Sequence, residues 1–261
     1  MQKSLKLMEG GVVPVWVFDG PPGEFKSDTV KKRESRKRES ERIMHESLEK
    51  GDYEAAMKAS KQAISLKQEE IDSLRDLLEV AGVPYAQAKS EADHKLAKLC
   101  AAGVISAVIS EDGDLMTHGV NTVLRSHKPG SFIAYKKDEI LNALSISESQ
   151  FIDLCILLGT DYNENSKGMG PQTSLKLLLQ HGSIEGILET NKKFDIEDLE
   201  TKYKTIRQIF SPAHNEETDL IVWPKYDERK FKEYLLMKKF KESNIDKYSA
   251  RFSKAHSKLS I

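Results

Sequence analysis

Six acidic side chains in this 261-residue chain fall where carboxylates can act together. Asp19 follows the apolar run Val12 to Phe18, Glu91 and Asp93 open an amphipathic stretch, Asp112 and Asp114 follow the apolar run Val104 to Ser110, and Asp161 follows Gly159. Singly, each has a plainer reading. Ser90-x-x-Asp93 fits a helix capping box, Asp112-Gly113-Asp114 fits a tight turn, and Asp161 fits a solvated loop acid. The later ligand positions of a calcium-binding EF-hand loop are absent after Asp112. As a set they carry more weight, because they recur at corresponding ends of successive elements. Two carboxylates about 4 Å apart repel by about 4 kcal/mol at an effective dielectric near 20, so such a cluster calls for cations. Hard oxygen ligands select Mg²⁺ or Mn²⁺ over zinc. Two such ions about 4 Å apart can activate water and stabilise the leaving oxygen of a phosphodiester.

The elements that must position these acids follow from the pattern of the chain. Residues 1 to 9 read as the end of a helix closed by Gly10 and Gly11, and Val12 to Phe18 as a buried parallel strand. Asp28 to Val80 is rich in helix formers and breaks near Gly51 and Asp52, which predicts two long helices. Ile64, Ile71, Leu74 and Leu78 mark an apolar stripe on the second, while the first is too polar for a core and reads as a projecting arch. Val83 to Ala88, Val104 to Ser110 and Thr122 to Arg125 read as strands, with a helix over Ser90 to Ala102. This β-α-β rhythm predicts an α/β fold with a mainly parallel sheet flanked by helices. In such a sheet the C-terminal strand ends share one crevice, where Asp19, Asp112 and Asp114 converge. From about residue 148 the chain reads as helical, over Gln150 to Leu158, Pro171 to Gln180 and a basic tail from Lys238. The domain reading is a nuclease-like α/β core over 1–147, with the arch at about 28–80, and a helical part over 148–261.

The chain carries 40 basic and 41 acidic side chains, a net charge of -1, but the charges are unevenly spread. Lys26 to Glu46 holds eight Lys/Arg against five Asp/Glu, and Lys225 to Ile261 eleven against five, two basic islands suited to phosphate. Apolar runs stop well short of a membrane span, and no signal-peptide pattern opens the sequence, so an intracellular place without a membrane partner is expected. Cys100 and Cys155 lie in apolar helical surroundings with no partner at metal-ligand spacing, which reads as buried thiols in a reducing compartment.

Five motifs carry a resemblance. VFDG at 17–20, SEAD at 90–93, EDGDL at 111–115, DLCILLGTDY at 153–162 and KGMGP at 167–171 resemble, in order and spacing, the flap endonuclease family of structure-specific 5′ nucleases of the xeroderma pigmentosum group G type. The likeness runs from about residue 1 to 255. It implies a PIN-like 5′ nuclease fold with a helical arch and a C-terminal helix-turn-helix region at about 159–182 that grips duplex DNA. It implies that the six acids bind two Mg²⁺ ions, Glu91, Asp93, Asp112 and Asp114 closest to the chemistry and Asp19 and Asp161 at the edges, with Mn²⁺ able to substitute. Lys26 and Arg33, seven apart and so on one helical face, would contact the scissile phosphate. Glu91 and Asp161 would also lie against the DNA.

Within the helix-turn-helix, Gly168 and Gly170 allow close backbone approach and Pro171 suits a first helical turn, so the helix start offers N–H groups to a phosphate. Lys167 and Lys176 would add phosphate contacts, and the family places K⁺ in this hairpin. The implied activity is cleavage of 5′ flaps, with 5′-3′ exonuclease action, on branched or flapped double-stranded DNA in replication and repair. In a eukaryote the nucleus would be its place, with the mitochondrion as the alternative. The family begins with a further strand and a further ligand Asp ahead of the first residue here, and its Gln-led aromatic peptide for the sliding clamp has no match near Ile261. A DNA-binding chain without catalysis is therefore the alternative reading. A phosphatase with Asp19 as nucleophile is weaker, because Pro21 stands where that chemistry places its second Asp.

Overall fold

The computed structural model describes residues 1–21, 27–63, 67–128, 130–165, 168–190, 197–210 and 221–260. The elements in chain order are α1 (Gln2–Glu9), β1 (Trp16–Phe18), α2 (Ser27–Glu49), α3 (Tyr53–Ala63), α4 (Gln68–Val80), β2 (Tyr85–Gln87), α5 (Ala92–Ala101) and β3 (Val108–Ile109). A 3-10 turn (Asp114–Met116) leads to β4 (Thr122–Ser126), β5 (Phe132–Lys136), α6 (Lys137–Leu144), α7 (Glu148–Leu158), α8 (Pro171–His181), α9 (Ile184–Thr190), α10 (Glu197–Phe210), α11 (Glu228–Met237) and α12 (Glu242–Leu259). They fall into two compact units. One takes Met1–Phe18, Val30–Gln87 and Asp219–Ile261, and the other takes Asp19–Thr29 and Ala88–Thr218.

In the first unit, α1 ends as its glycines require. The Gly11 N–H bonds Met8 O at 2.9 Å and Gly11 adopts φ 89°, a left-handed value that favours glycine. Where two helices are expected between Asp28 and Val80, the described residues form three. The break at Gly51 (φ 72°) is followed by Asp52, whose carboxylate accepts the Ala55 N–H at 3.0 Å. A second break precedes α4, where Glu70 reaches back to the Lys67 N–H at 2.8 Å. Ile64 lies outside the described residues. Only three residues of the run Val12 to Phe18 form a strand, β1, which pairs in parallel with β2 from Trp16 opposite Tyr85 to Phe18 opposite Gln87. The basic tail is amphipathic. Ile245, Phe252 and Ala255 of α12 pack with Leu5 and Met8 of α1 and Phe231 of α11.

In the second unit β3 and β4 are parallel, whereas β5 runs antiparallel to β4. The single, mainly parallel sheet expected from the sequence is thus two sheets among the described residues, one of two parallel strands and one of three mixed strands. Val104 to Ser110 contributes only Val108 and Ile109, because Gly103 turns the chain at φ 69° and Val104 stands exposed. β5 and α6 carry no sequence expectation. Every residue of β5 is exposed, so it shows no alternation of buried and polar positions. The core joins Val108 and Val123 to Ile156, Leu157, Leu178 and Phe210.

A polar lock closes the helical part of this unit. Arg207 on α10 donates from Nε and Nη2 to Asp153 on α7, both at 2.6 Å, and from Nη1 and Nη2 to Glu185 on α9 at 2.6 and 2.8 Å. Asp153 is 2 % exposed and also accepts the Ile184 N–H at 3.2 Å. Asp153 is buried, but Arg207 and Glu185 are partly exposed, so solvent screens part of this lock. No single helix among the described residues is long and apolar enough to cross a membrane.

Candidate active site

All six candidate carboxylates belong to the second compact unit. Asp19 leaves the end of β1 exposed, and its Oδ1 accepts the backbone N–H of Ala92 at 2.8 Å. Ala92 is the first residue of α5, whose cap residue is Glu91 and not Ser90. A carboxylate from another segment therefore takes one of the N–H groups that the start of a helix leaves without an intrahelical partner. Gly20 makes this approach feasible. Its N–H bonds Ser90 O at 2.5 Å, and a Cβ at Gly20 would stand 2.6 Å from Ala88 O and 2.7 Å from the Lys89 carbonyl carbon.

Asp112 and Asp114 form the tight turn that their spacing predicts. Asp112 donates its N–H to Ser110 Oγ at 3.0 Å, and its Oδ1 accepts the Asp114 N–H at 2.9 Å. Glu111 pins this turn to β4 by accepting the Ser126 N–H at 3.0 Å, and this bond first, with the Ser126 and Arg125 side chains, holds its carboxyl below the usual range. Asp114 starts the 3-10 turn and lies near Cys155. Burial first, and then the Asp114 charge, push the Cys155 thiol up to about 12. Both cysteines are free thiols, half-buried.

Asp161 lies in the loop after α7. Gly159 turns at φ 92°, where a Cβ would come 2.8 Å from Asn165 N. The next residue, Tyr162, donates its hydroxyl to Glu91 Oε2 at 3.1 Å. Its phenol is pushed far up, by burial first and then by Glu91, Asp93 and Asp161, so one ring senses three of the six candidate acids. The ring meets Phe210 edge-on at 5.6 Å, Phe210 meets His118 at 5.0 Å, and His118 meets His94 at 4.6 Å. This row of rings joins the start of α5, the turn after Asp114 and the Asp161 loop. Sequence reasoning singled out none of the four. Tyr162 and His94 each adjoin a quoted acid, but nothing periodic links them to Phe210.

Glu91 thus accepts the Tyr162 hydroxyl, the charges of Asp93 and Asp161 act on the same phenol, Asp112 bonds Asp114, and Asp19 bonds the start of α5. Among the described residues no three His, Cys, Asp or Glu side chains stand close enough to hold a metal ion as placed. The donor chemistry still fits a hard divalent ion, since every candidate is a carboxylate and one phenol lies within the field of three.

Lys26 and Lys167 lie outside the described residues. Arg33 is on α2, in the first unit. Gly168 has φ 89°, Gly170 caps α8, Pro171 is its first residue, and Lys176 is exposed one turn on. Met169 between the glycines is buried, which fixes the hairpin to the core.

The chain is also similar to known proteins. The family profile described as the XPG I-region matches residues 82–161, and that of the XPG N-terminal domain matches residues 1–40. Flap endonuclease 1 of Entamoeba dispar is 35% identical over 267 residues, 98% of this chain and 70% of that protein. The chain belongs to the flap endonuclease family.

Flap endonuclease 1-A of Sorghum bicolor is likewise 35% identical, over 99% of this chain and 70% of its own length. Among solved structures, flap endonuclease-1 from Methanococcus jannaschii superposes with a TM-score of 0.70 at 27% identity, covering 99% of this chain and 80% of that one. The catalytic core of Rad2 in complex with DNA substrate gives a TM-score of 0.70 at 21% identity, covering 99% and 82%, a likeness of fold. The fold is therefore the α/β 5′ nuclease fold of the flap endonucleases, and the chain is of the hydrolase class that cuts nucleic acid. The XPG I-region spans Glu91, Asp93, Asp112, Asp114 and Asp161, five of the six candidates.

Proposed function

We propose that this flap endonuclease family member is a structure-specific 5′ nuclease that hydrolyses DNA phosphodiesters at 5′ flaps, and at 5′ ends, with two Mg²⁺ ions. The observation that carries the reading is that carboxylates from four separate segments share one compact unit, three of them bearing on the same Tyr162 phenol. Asp19, Glu91, Asp93, Asp112, Asp114 and Asp161 would hold the ions, and Mn²⁺ would serve in their place. When bound, such ions supply an activated water and stabilise the leaving oxygen.

The chain's own residues do the rest. The Asp112–Asp114 turn and the Asp19 bond to Ala92 fix where carboxylates leave the backbone. Lys26 and Arg33 keep the role the resemblance gives them, neutralising charge on the scissile phosphate. The start of α8, with Gly168, Gly170, Lys167 and Lys176, takes a phosphate of the duplex and reads backbone in place of bases. K⁺ at that hairpin rests on the resemblance alone. A DNA substrate puts the site of action with the genome, which is the nucleus in a eukaryotic cell. Cleavage of a 5′-flapped duplex near its junction, present with Mg²⁺ and lost with a chelator, tests the reading. Salt-sensitive junction binding without cleavage under any divalent ion would mark a DNA-binding chain instead.

A further inference from the structure

We propose that Tyr162 is a positioning residue of this site, its hydroxyl holding one oxygen of Glu91 so that the other is presented to a divalent ion; this rests on the metal-binding reading above. Glu91 caps α5 from an extended backbone (φ −85°, ψ 141°) and is 9 % exposed. Its side chain has three rotatable bonds, so fixing it costs rotamer entropy that the contacts of the carboxylate must offset. The Tyr162 hydroxyl, at 3.1 Å from Oε2, is such a contact.

Tyr162 is itself fixed from two sides. Its ring stands edge-on to Phe210, which is 1 % exposed, at an interplanar angle of 77°. Its N–H bonds Thr160 Oγ1 at 3.1 Å, Thr160 donates to Asn163 Oδ1 at 2.7 Å, and Asn163 Nδ2 donates to Ile156 O at 2.7 Å at the end of α7. The loop holds the phenol, and the phenol holds the carboxylate. Hydrogen bonds to the ligands of a metal commonly set ligand orientation in this way.

The test is Mn²⁺ binding to the full chain, followed by the spin-resonance signal of free Mn²⁺, for wild type, Tyr162→Phe, Glu91→Gln and the double variant. Tyr162→Phe should weaken Mn²⁺ binding on the order of tenfold. In the Glu91→Gln background the same change should have no further effect, because Tyr162 acts through Glu91. Equal affinity of Tyr162→Phe and wild type, additive losses in the double variant, or no Mn²⁺ binding by wild type would each overturn the proposal. So would loss of the folded circular-dichroism signal in Tyr162→Phe, since the hydroxyl would then serve the fold. Flap cleavage by wild type is measured alongside. Cleavage without Tyr162–Glu91 coupling sinks this inference alone, and coupling without cleavage sinks the flap-nuclease reading alone.

Discussion

Asp19 Oδ1 accepts the backbone N–H of Ala92 at 2.8 Å, so the acid that follows β1 also closes the start of α5. Charge and hydrogen-bond acceptance at Asp19 can therefore be separated. Asp19→Asn keeps an acceptor for Ala92 and should leave stability close to wild type, whereas Asp19→Ala should cost about 1 kcal/mol as other lost helix caps do. Both should lower Mg²⁺-dependent cleavage by about tenfold or more. Denaturant melts beside cleavage rates read the two effects apart. Equal stability of the Asn and Ala variants would show that the bond carries no weight.

Gly20 is bounded by backbone, and backbone cannot rotate aside. Gly20→Ala puts a methyl 2.6 Å from Ala88 O, so the two segments must part. The expected loss is about 1–3 kcal/mol, with cleavage falling because Asp19 moves with its neighbour. A urea midpoint equal to that of wild type would mean that the segments part freely.

The Arg207 lock gives a dependence on pH. Hydrogen bonding to Arg207 first, against a smaller opposing effect of burial, holds the Glu185 carboxyl down to about 2 from its ordinary 4.5. The folded value lies below the unfolded one, so the stabilisation is present above about pH 4.5 and fades as pH falls toward 2. Glu185→Gln should melt below wild type at about pH 6, and the gap should narrow between about pH 5 and 3. Glu185 is partly solvated, so screening keeps the gap modest. A gap that is constant over that range would assign the effect to packing.

Much of this was legible in the sequence because it is local. A glycine past a helix, an acid just after a strand, and Asp-Gly-Asp in a turn each depend on a few neighbouring residues, and α1, the Asp112–Asp114 turn and α8 follow their expected positions. The rest depends on distant partners. The Ala92 N–H at the start of α5 is taken by Asp19, 73 residues away, which no capping-box pattern can reveal. Likewise the ring row from His94 to Phe210 has no period, and fully exposed β5 has no alternation to betray it. The long polar stretch before Val80 reads as helix throughout, so the second break is hidden among good helix formers.

The most direct measurement is Mg²⁺-dependent cutting of a 5′-flapped duplex by wild type and by Asp114→Ala, with junction binding followed in parallel. Asp114 stands in the Asp112 turn and lies near half-buried Cys155, so its removal takes a carboxylate from the site without emptying the core. Wild type should cut near the junction only when Mg²⁺ is present, and Asp114→Ala should bind the same junction but cut it at least about a hundredfold more slowly. Undiminished cutting by Asp114→Ala, or cutting by wild type in the presence of chelator, would contradict the proposed function.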